Sequence, residues 1–203
     1  MKELKVYGIT AVCAILAAFL IRIFLVEAYR IPTAAMKPTL IPGDVIFVAK
    51  WPFGVFSRPP RLGEVVLYTL PDEPDRHYLK RVVALGGAQV WLRGGHLTVD
   101  GHTLELKAES GSPCGHEVLG TVNYPVCVES PVLEDAGPID VPRDSVFVIG
   151  DFRQKSETTR AWSVVPTRLL SAKAIGIWLS VDPTHPGWWP AFRWQRFLNS
   201  IRP

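Results

Sequence analysis

The residue with the clearest chemical potential is Lys80, because it lies inside an otherwise apolar run, Tyr78-Leu79-Lys80-Arg81-Val82-Val83. Side chains alternate faces along a strand, so one of Lys80 and Arg81 is expected to face the core. A lysine held there loses hydration, which disfavours the ammonium and lowers its pKa by up to several units. The neutral amine is then a general base near pH 7. A lysine on a solvated edge strand would have no such property, and this strand alone does not separate the two. The five histidines, His77, His96, His102, His116 and His185, show neither HExxH spacing nor zinc-type pairing with cysteine. No Gly-rich loop precedes a helix. The sequence therefore implies no metal and no cofactor.

A second group of residues gives the lysine a context: Ile31-Pro32-Thr33-Ala34-Ala35-Met36-Lys37-Pro38-Thr39-Leu40, then Pro42-Gly43-Asp44. This segment resembles the nucleophile box of the type I signal peptidases, the bacterial leader peptidase family of serine–lysine dyad proteases, in which a serine directly precedes Met-x-Pro-Thr-Leu. Ala35 stands at the serine position. The resemblance extends along the chain. Ile21-Arg22 through Ile31-Pro32 looks like the family's approach to the site, and Gly63-Glu64-Val65-Val66 looks like its second box. Tyr78–Val83 matches its lysine box, and Gly150-Asp151-Phe152-Arg153 with Ser156 and Arg160 matches its last box loosely.

The resemblance implies a mechanism. A serine hydroxyl at position 35 would attack the scissile carbonyl while neutral Lys80 takes its proton. The residue-35 backbone N–H and the Thr33 hydroxyl would hold the oxyanion, and Ser156 would orient Lys80. Ile31 and Met36 would line shallow apolar pockets accepting small residues at positions −1 and −3 of signal peptides from secretory precursors. Ala35 has no nucleophilic atom, and loss of such a group costs about 10⁶ in rate. The chain as written is expected to be inert, through either an engineered Ser→Ala change or natural loss. The last box also departs from the family's polar and acidic pattern at Phe152, Gln154, Lys155 and Thr158. Lys155 would lower the pKa of Lys80 further if it pointed inward. A non-catalytic signal-peptide-binding or regulatory relative, and a specialised pilin-type processing peptidase, are the alternative readings. Self-cleaving repressors share the dyad but carry a DNA-binding domain in place of an apolar N-terminal run.

The elements that must position these residues begin with that run, Val6–Val26, which contains one charge, Arg22. At 1.5 Å per residue it spans roughly 30 Å, enough for one transmembrane helix. Lys2 and Lys5 place residues 1–5 in the cytoplasm and residues 27–203 outside it, on a bacterial cytoplasmic membrane and in contact with its lipid. A cleaved signal peptide and a buried core helix are the competing readings of the run. Beyond it, short β-type runs alternate with 18 prolines and 15 glycines. They are Asp44–Lys50, Glu64–Leu70, Tyr78–Leu85, His96–Gly101, Ser145–Gly150 and Ala174–Val181. Asp100-Gly101 suits a two-residue hairpin turn. The expected fold is mainly β: an antiparallel sheet of signal-peptidase type behind one transmembrane helix, with 107–142 as an inserted, loop-rich subregion.

Cys114 and Cys127 bracket a turn-rich segment and either close a loop in an oxidising compartment or stay as two thiols. The aromatic and basic stretch Gly187–Pro203 fits a membrane-interface belt or ordinary packing equally well. A formal net charge of +3, with Lys and Arg scattered, excludes nucleic acid as a partner.

Overall fold

A computed structural model describes residues 7, 9–15, 25–54, 58–108, 111–155, 160–186 and 189–201. Fifteen strands follow one another: β1 (Val26–Arg30), β2 (Asp44–Ala49), β3 (Val65–Leu70), β4 (Glu73–Leu85), β5 (Gln89–Arg93), β6 (His96–Val99), β7 (His102–Thr103), β8 (Leu106–Ala108), β9 (Cys114–Leu119), β10 (Val122–Cys127), β11 (Ala136–Asp140), β12 (Ser145–Ile149), β13 (Trp162–Pro166), β14 (Leu170–Asp182) and β15 (Ala191–Phe192). The largest sheet runs β1-β2-β14-β3-β4-β12-β13, with β15 added to the end of β14. Its strand pairs are antiparallel. Two smaller sheets, β10-β9-β8 and β11-β5-β6-β7, complete the fold.

Patterning accounts for these strands. β3 and β12 are near-continuous runs of Val, Ile, Leu and aromatic residues and are buried on both faces, as central strands are. Asp100 and Gly101 both take positive φ, at 49° and 80°, and close β6 onto β7 as the Asp-Gly pair predicts.

Three apolar clusters hold the strands. One joins Val66, Tyr68, Tyr78, Val82 and Val148 within the large sheet. A second places Ile31, Met36 and Leu40 against Ile46, Val48 and Ala174. The third packs Phe147 and Ile149 of the large sheet against Leu92, Leu97, Leu119 and Tyr124 of the smaller ones. Each fully buried Val, Leu, Ile or Phe side chain contributes roughly 1.5–3 kcal/mol.

Two differences from the sequence expectation follow from local chemistry. The stretch 107–142 carries β9, β10 and β11 where its turn residues suggested loops. A disulfide between Cys114 and Cys127 clamps β9 to β10, so Gly115 and Pro125 are tolerated inside a paired hairpin. At the other end, Val26 heads β1 and does not end a helix. Residue 7 and residues 9–15 are helical, and Tyr7, Ile9, Val12 and Ile15 are exposed. The rest of the expected membrane span, up to residue 24, lies outside the described residues, and among the described residues no helix is long and apolar enough to cross a membrane.

Candidate active site

Lys80 sits midway along β4, opposite Val66 of β3. β4 pairs with β12 only from Arg81 onward, so among the described residues no strand pairs with that edge over residues 77–80. β1 is the end strand of the same sheet and pairs on one side only, with β2. Between these two open edges lies a cleft of about 250 Å³. One wall carries Tyr29, Ile31, Thr33, Ala35 and Met36, and the other carries residues 75–80.

Five of the six residues singled out from the sequence therefore meet in one place: Ile31, Thr33, Ala35, Met36 and Lys80 all line this cleft. Ile31 and Met36 are almost fully buried and belong to the cluster beneath it, so they form its apolar floor. Thr33 is exposed at the rim. Ser156 lies outside the described residues, as does Thr158.

Lys80 is 2% exposed. Burial pushes its amine from the ordinary 10.5 down to about 8, against the opposing pull of the Asp151 carboxylate and with a further downward push from the Arg76 guanidinium. The cause is the loss of water around a cation, which the apolar residues flanking it do not replace.

The expectation that only one of Lys80 and Arg81 faces the core is corrected: both are buried. The sheet is covered on both faces here. Arg81 forms two hydrogen bonds with Asp151, Nε to Oδ1 at 2.8 Å and Nη2 to Oδ2 at 2.7 Å. It also donates to the Gly63 carbonyl at 2.7 Å and stacks on the Tyr124 ring, 4.7 Å from its centroid. Thr39 donates its hydroxyl to the same Asp151 carboxylate. The second, third and fourth sequence boxes are thus tied to the nucleophile segment by one buried ion pair.

Residues 150–153 close the site from above. Phe152 N–H donates to the Ala35 carbonyl at 3.3 Å. A Cβ added to Gly150 would run into that same carbonyl oxygen and would lie 3.3 Å from the Lys80 amine. Gly150 is required here by close approach. Gly150→Ala should therefore shift the residue-35 backbone, cost about 1–3 kcal/mol on thermal unfolding, and cut any cleavage measured in an Ala35→Ser background at least tenfold.

Of the residues that depart from the family pattern here, Phe152 and Gln154 are half-buried and Lys155 is exposed. Lys155 pairs with Glu134 at the surface and does not approach Lys80, which corrects the inward alternative. Gln154 donates to the Ser130 carbonyl at 2.8 Å. Phe152 lies under the Lys37 ammonium, 5.3 Å from ring centroid to nitrogen.

Sequence reasoning missed Glu117. It is fully buried in β9 and holds Arg153 through two bonds, at 2.5 and 2.6 Å, with the Tyr124 hydroxyl as a further donor. The Cys127 backbone pairs with Asp151 and Arg153 on either side of Phe152. The disulfide-clamped hairpin is therefore the buttress behind the 150–153 segment. Asp75, Arg76 and His77 on the cleft wall were also missed. Among the described residues no three His, Cys, Asp or Glu side chains converge in a way that would hold a metal ion.

The chain matches the family model described as "Signal peptidase, peptidase S26" over residues 4–179. It is 29% identical to Signal peptidase I of Pseudomonas aeruginosa, over 86% of this chain and 72% of that protein. It is 32% identical to Signal peptidase I P of Bacillus subtilis subsp. natto, over 76% of each. A solved signal peptidase I from Enterococcus faecalis V583 overlaps 57% of this chain and 97% of its own, at 18% identity and a TM-score of 0.36.

Proposed function

Because the chain belongs to the signal peptidase family, peptidase S26, we propose that it is a membrane-bound signal peptidase I whose groove receives the signal peptides of secretory precursors and whose nucleophile is missing at Ala35. The observation that carries this reading is the meeting of Ala35 and a buried, pKa-lowered Lys80 in one cleft. The apolar segment ahead of β1 anchors the chain in the bacterial cytoplasmic membrane, with β1 and all that follows it on the outer side.

An extended peptide fits between the open edges of β1 and β4, hydrogen-bonding along the backbone as an added strand. Ile31 and Met36 present the apolar surface for a small side chain next to the scissile bond. With a serine at 35, its oxygen would bond to the carbonyl carbon and its proton would pass to Lys80 Nζ. That proton would then pass to the departing amine as the C–N bond breaks, and water activated by the neutral Lys80 amine would release the acyl group. The residue-35 N–H and Thr33 hydroxyl would carry the oxyanion, and Ser156 would orient the lysine.

The test is cleavage of a detergent-solubilised secretory precursor by the Ala35→Ser variant from pH 6 to 10. The base must be neutral to act, so the rate should rise with pH and level off above about 8, the value to which burial brings Lys80. An acid limb set instead near 10.5, the value of an ordinary solvated lysine, would remove Lys80 as the base. The second reading, a protein that holds signal peptides without cutting them, is favoured by Ala35 itself; tight precursor binding with no cleavage after Ala35→Ser would select it.

A further inference from the structure

A second cavity, of about 420 Å³, opens where the β2–β3 connection folds over the ends of β12 and β13. Arg58, Arg143 and Arg168 line it, together with Phe53, Asp144 and Thr167. Arg58 grips Glu64 through both guanidinium nitrogens, at 3.1 and 2.6 Å, and stacks over Phe53 at 5.6 Å from ring centroid to guanidinium carbon. It is held in place with its charge already answered. Arg143 and Arg168 are exposed at the mouth and make no ion pair among the described residues. The lining carries three arginines against one carboxylate, Asp144, while Glu64 behind it is shared by Arg58 and Lys173.

The position of the cavity identifies its ligand. β1 starts at Val26, the last residue of the apolar run, and Val26 pairs with Ala49. Lys50 N–H donates to the Leu25 carbonyl at 2.9 Å, and Phe53 N–H returns to the Lys50 carbonyl at 3.3 Å. The strand through which the chain leaves the apolar segment thus hands over directly to the loop that walls the cavity. Trp51 and Phe53, both half-buried, lie on that loop. Planar guanidinium groups suit phosphate oxygens, and basic pockets beside membrane segments bind lipid headgroups.

We propose that this cavity binds the phosphodiester of an anionic membrane phospholipid, with Arg143 and Arg168 contacting the phosphate and Arg58 with Phe53 forming its wall. A headgroup seated there pins the end of the sheet to the membrane surface independently of the cleft. The inference rests on reading residues 6–26 as a membrane span.

Native mass spectrometry of the full chain in detergent, titrated with phosphatidylglycerol and separately with phosphatidylcholine, tests it. One phosphatidylglycerol should bind at least tenfold more tightly than phosphatidylcholine, and Arg143→Gln/Arg168→Gln should erase that preference. Arg143→Lys/Arg168→Lys should retain part of it, and Arg93→Gln, a charge change elsewhere on the surface, should retain all of it. Asp144→Asn, which removes the carboxylate at the mouth and leaves both arginines in place, should tighten phosphatidylglycerol binding. Equal binding of the two lipids, or an unchanged preference in the double Gln variant, overturns the site. Displacement of phosphatidylglycerol by inorganic phosphate at equal concentration overturns the lipid assignment in favour of a free-anion site. Resistance of the chain to carbonate extraction from membranes reads the span separately, so a failure of the span and a failure of the lipid site are told apart.

Discussion

Ala35→Ser is expected to raise the rate of precursor cleavage from background by about 10⁶, the size of the loss when a serine protease is stripped of its nucleophile. The substitution adds one oxygen to a half-buried methyl group that already lines the cleft beside Lys80. The Lys80 amine and the residue-35 carbonyl both pack close against Gly150, where a side chain would collide with the carbonyl. The control is Ala35→Ser/Lys80→Ala, which restores the hydroxyl and removes its base. Groups that act as a unit are not additive, so the double variant should fall back to background and not to an intermediate rate. Cleavage by the double variant at the single variant's rate would mean that another residue takes the serine proton. Failure of both, with the fold intact, would place the fault in the altered 150–160 segment.

Asp151→Ala should be the most destabilising single change at the site, costing about 3–5 kcal/mol, because it takes from the buried Arg81 guanidinium the carboxylate that answers its charge. For a chain of this size the melting temperature should fall on the order of 10 °C. The diagnostic variant is Arg81→Met/Asp151→Leu. Replacing a whole buried pair with apolar groups removes the desolvation cost along with the attraction, so most of the lost stability should return. If the double variant is as unstable as Asp151→Ala alone, the Thr39 and Gly63 contacts matter more than the ion pair. In the Ala35→Ser background, Asp151→Asn carries a second signature. The carboxylate raises the Lys80 pKa, so its removal should move the acid limb of the rate profile below 8.

The parts of this site legible in the sequence were those encoded over short distances. Lys80 in an apolar strand, the Ala35–Leu40 segment and the Asp100-Gly101 turn are local patterns, and each sits in the structure where its pattern puts it. Arg81 was misjudged because alternation assigns two faces and does not say that both are covered. The covering groups, Tyr124 and Asp151, come from 43 and 70 positions further along the chain. Glu117 was invisible for the same reason, since nothing near it in sequence marks it as the partner of Arg153, 36 residues away. β1 was absorbed into the apolar run because Val26 continues that run's composition, and its pairing with β2 decides the matter. Turn-forming residues hid β9 and β10, whose pairing the Cys114–Cys127 bond secures.

β1 also sets a length. Its five residues rise about 3.3 Å each, roughly 16 Å in all, and Ile31 at its far end is already in the cleft. On the function proposed above, with the preceding segment in a bilayer, the strand would be a ruler standing on the membrane surface. The cleft would then select precursors by height as well as by side chain: a small-residue site standing much further than that from the end of its own apolar segment would pass above the groove unread.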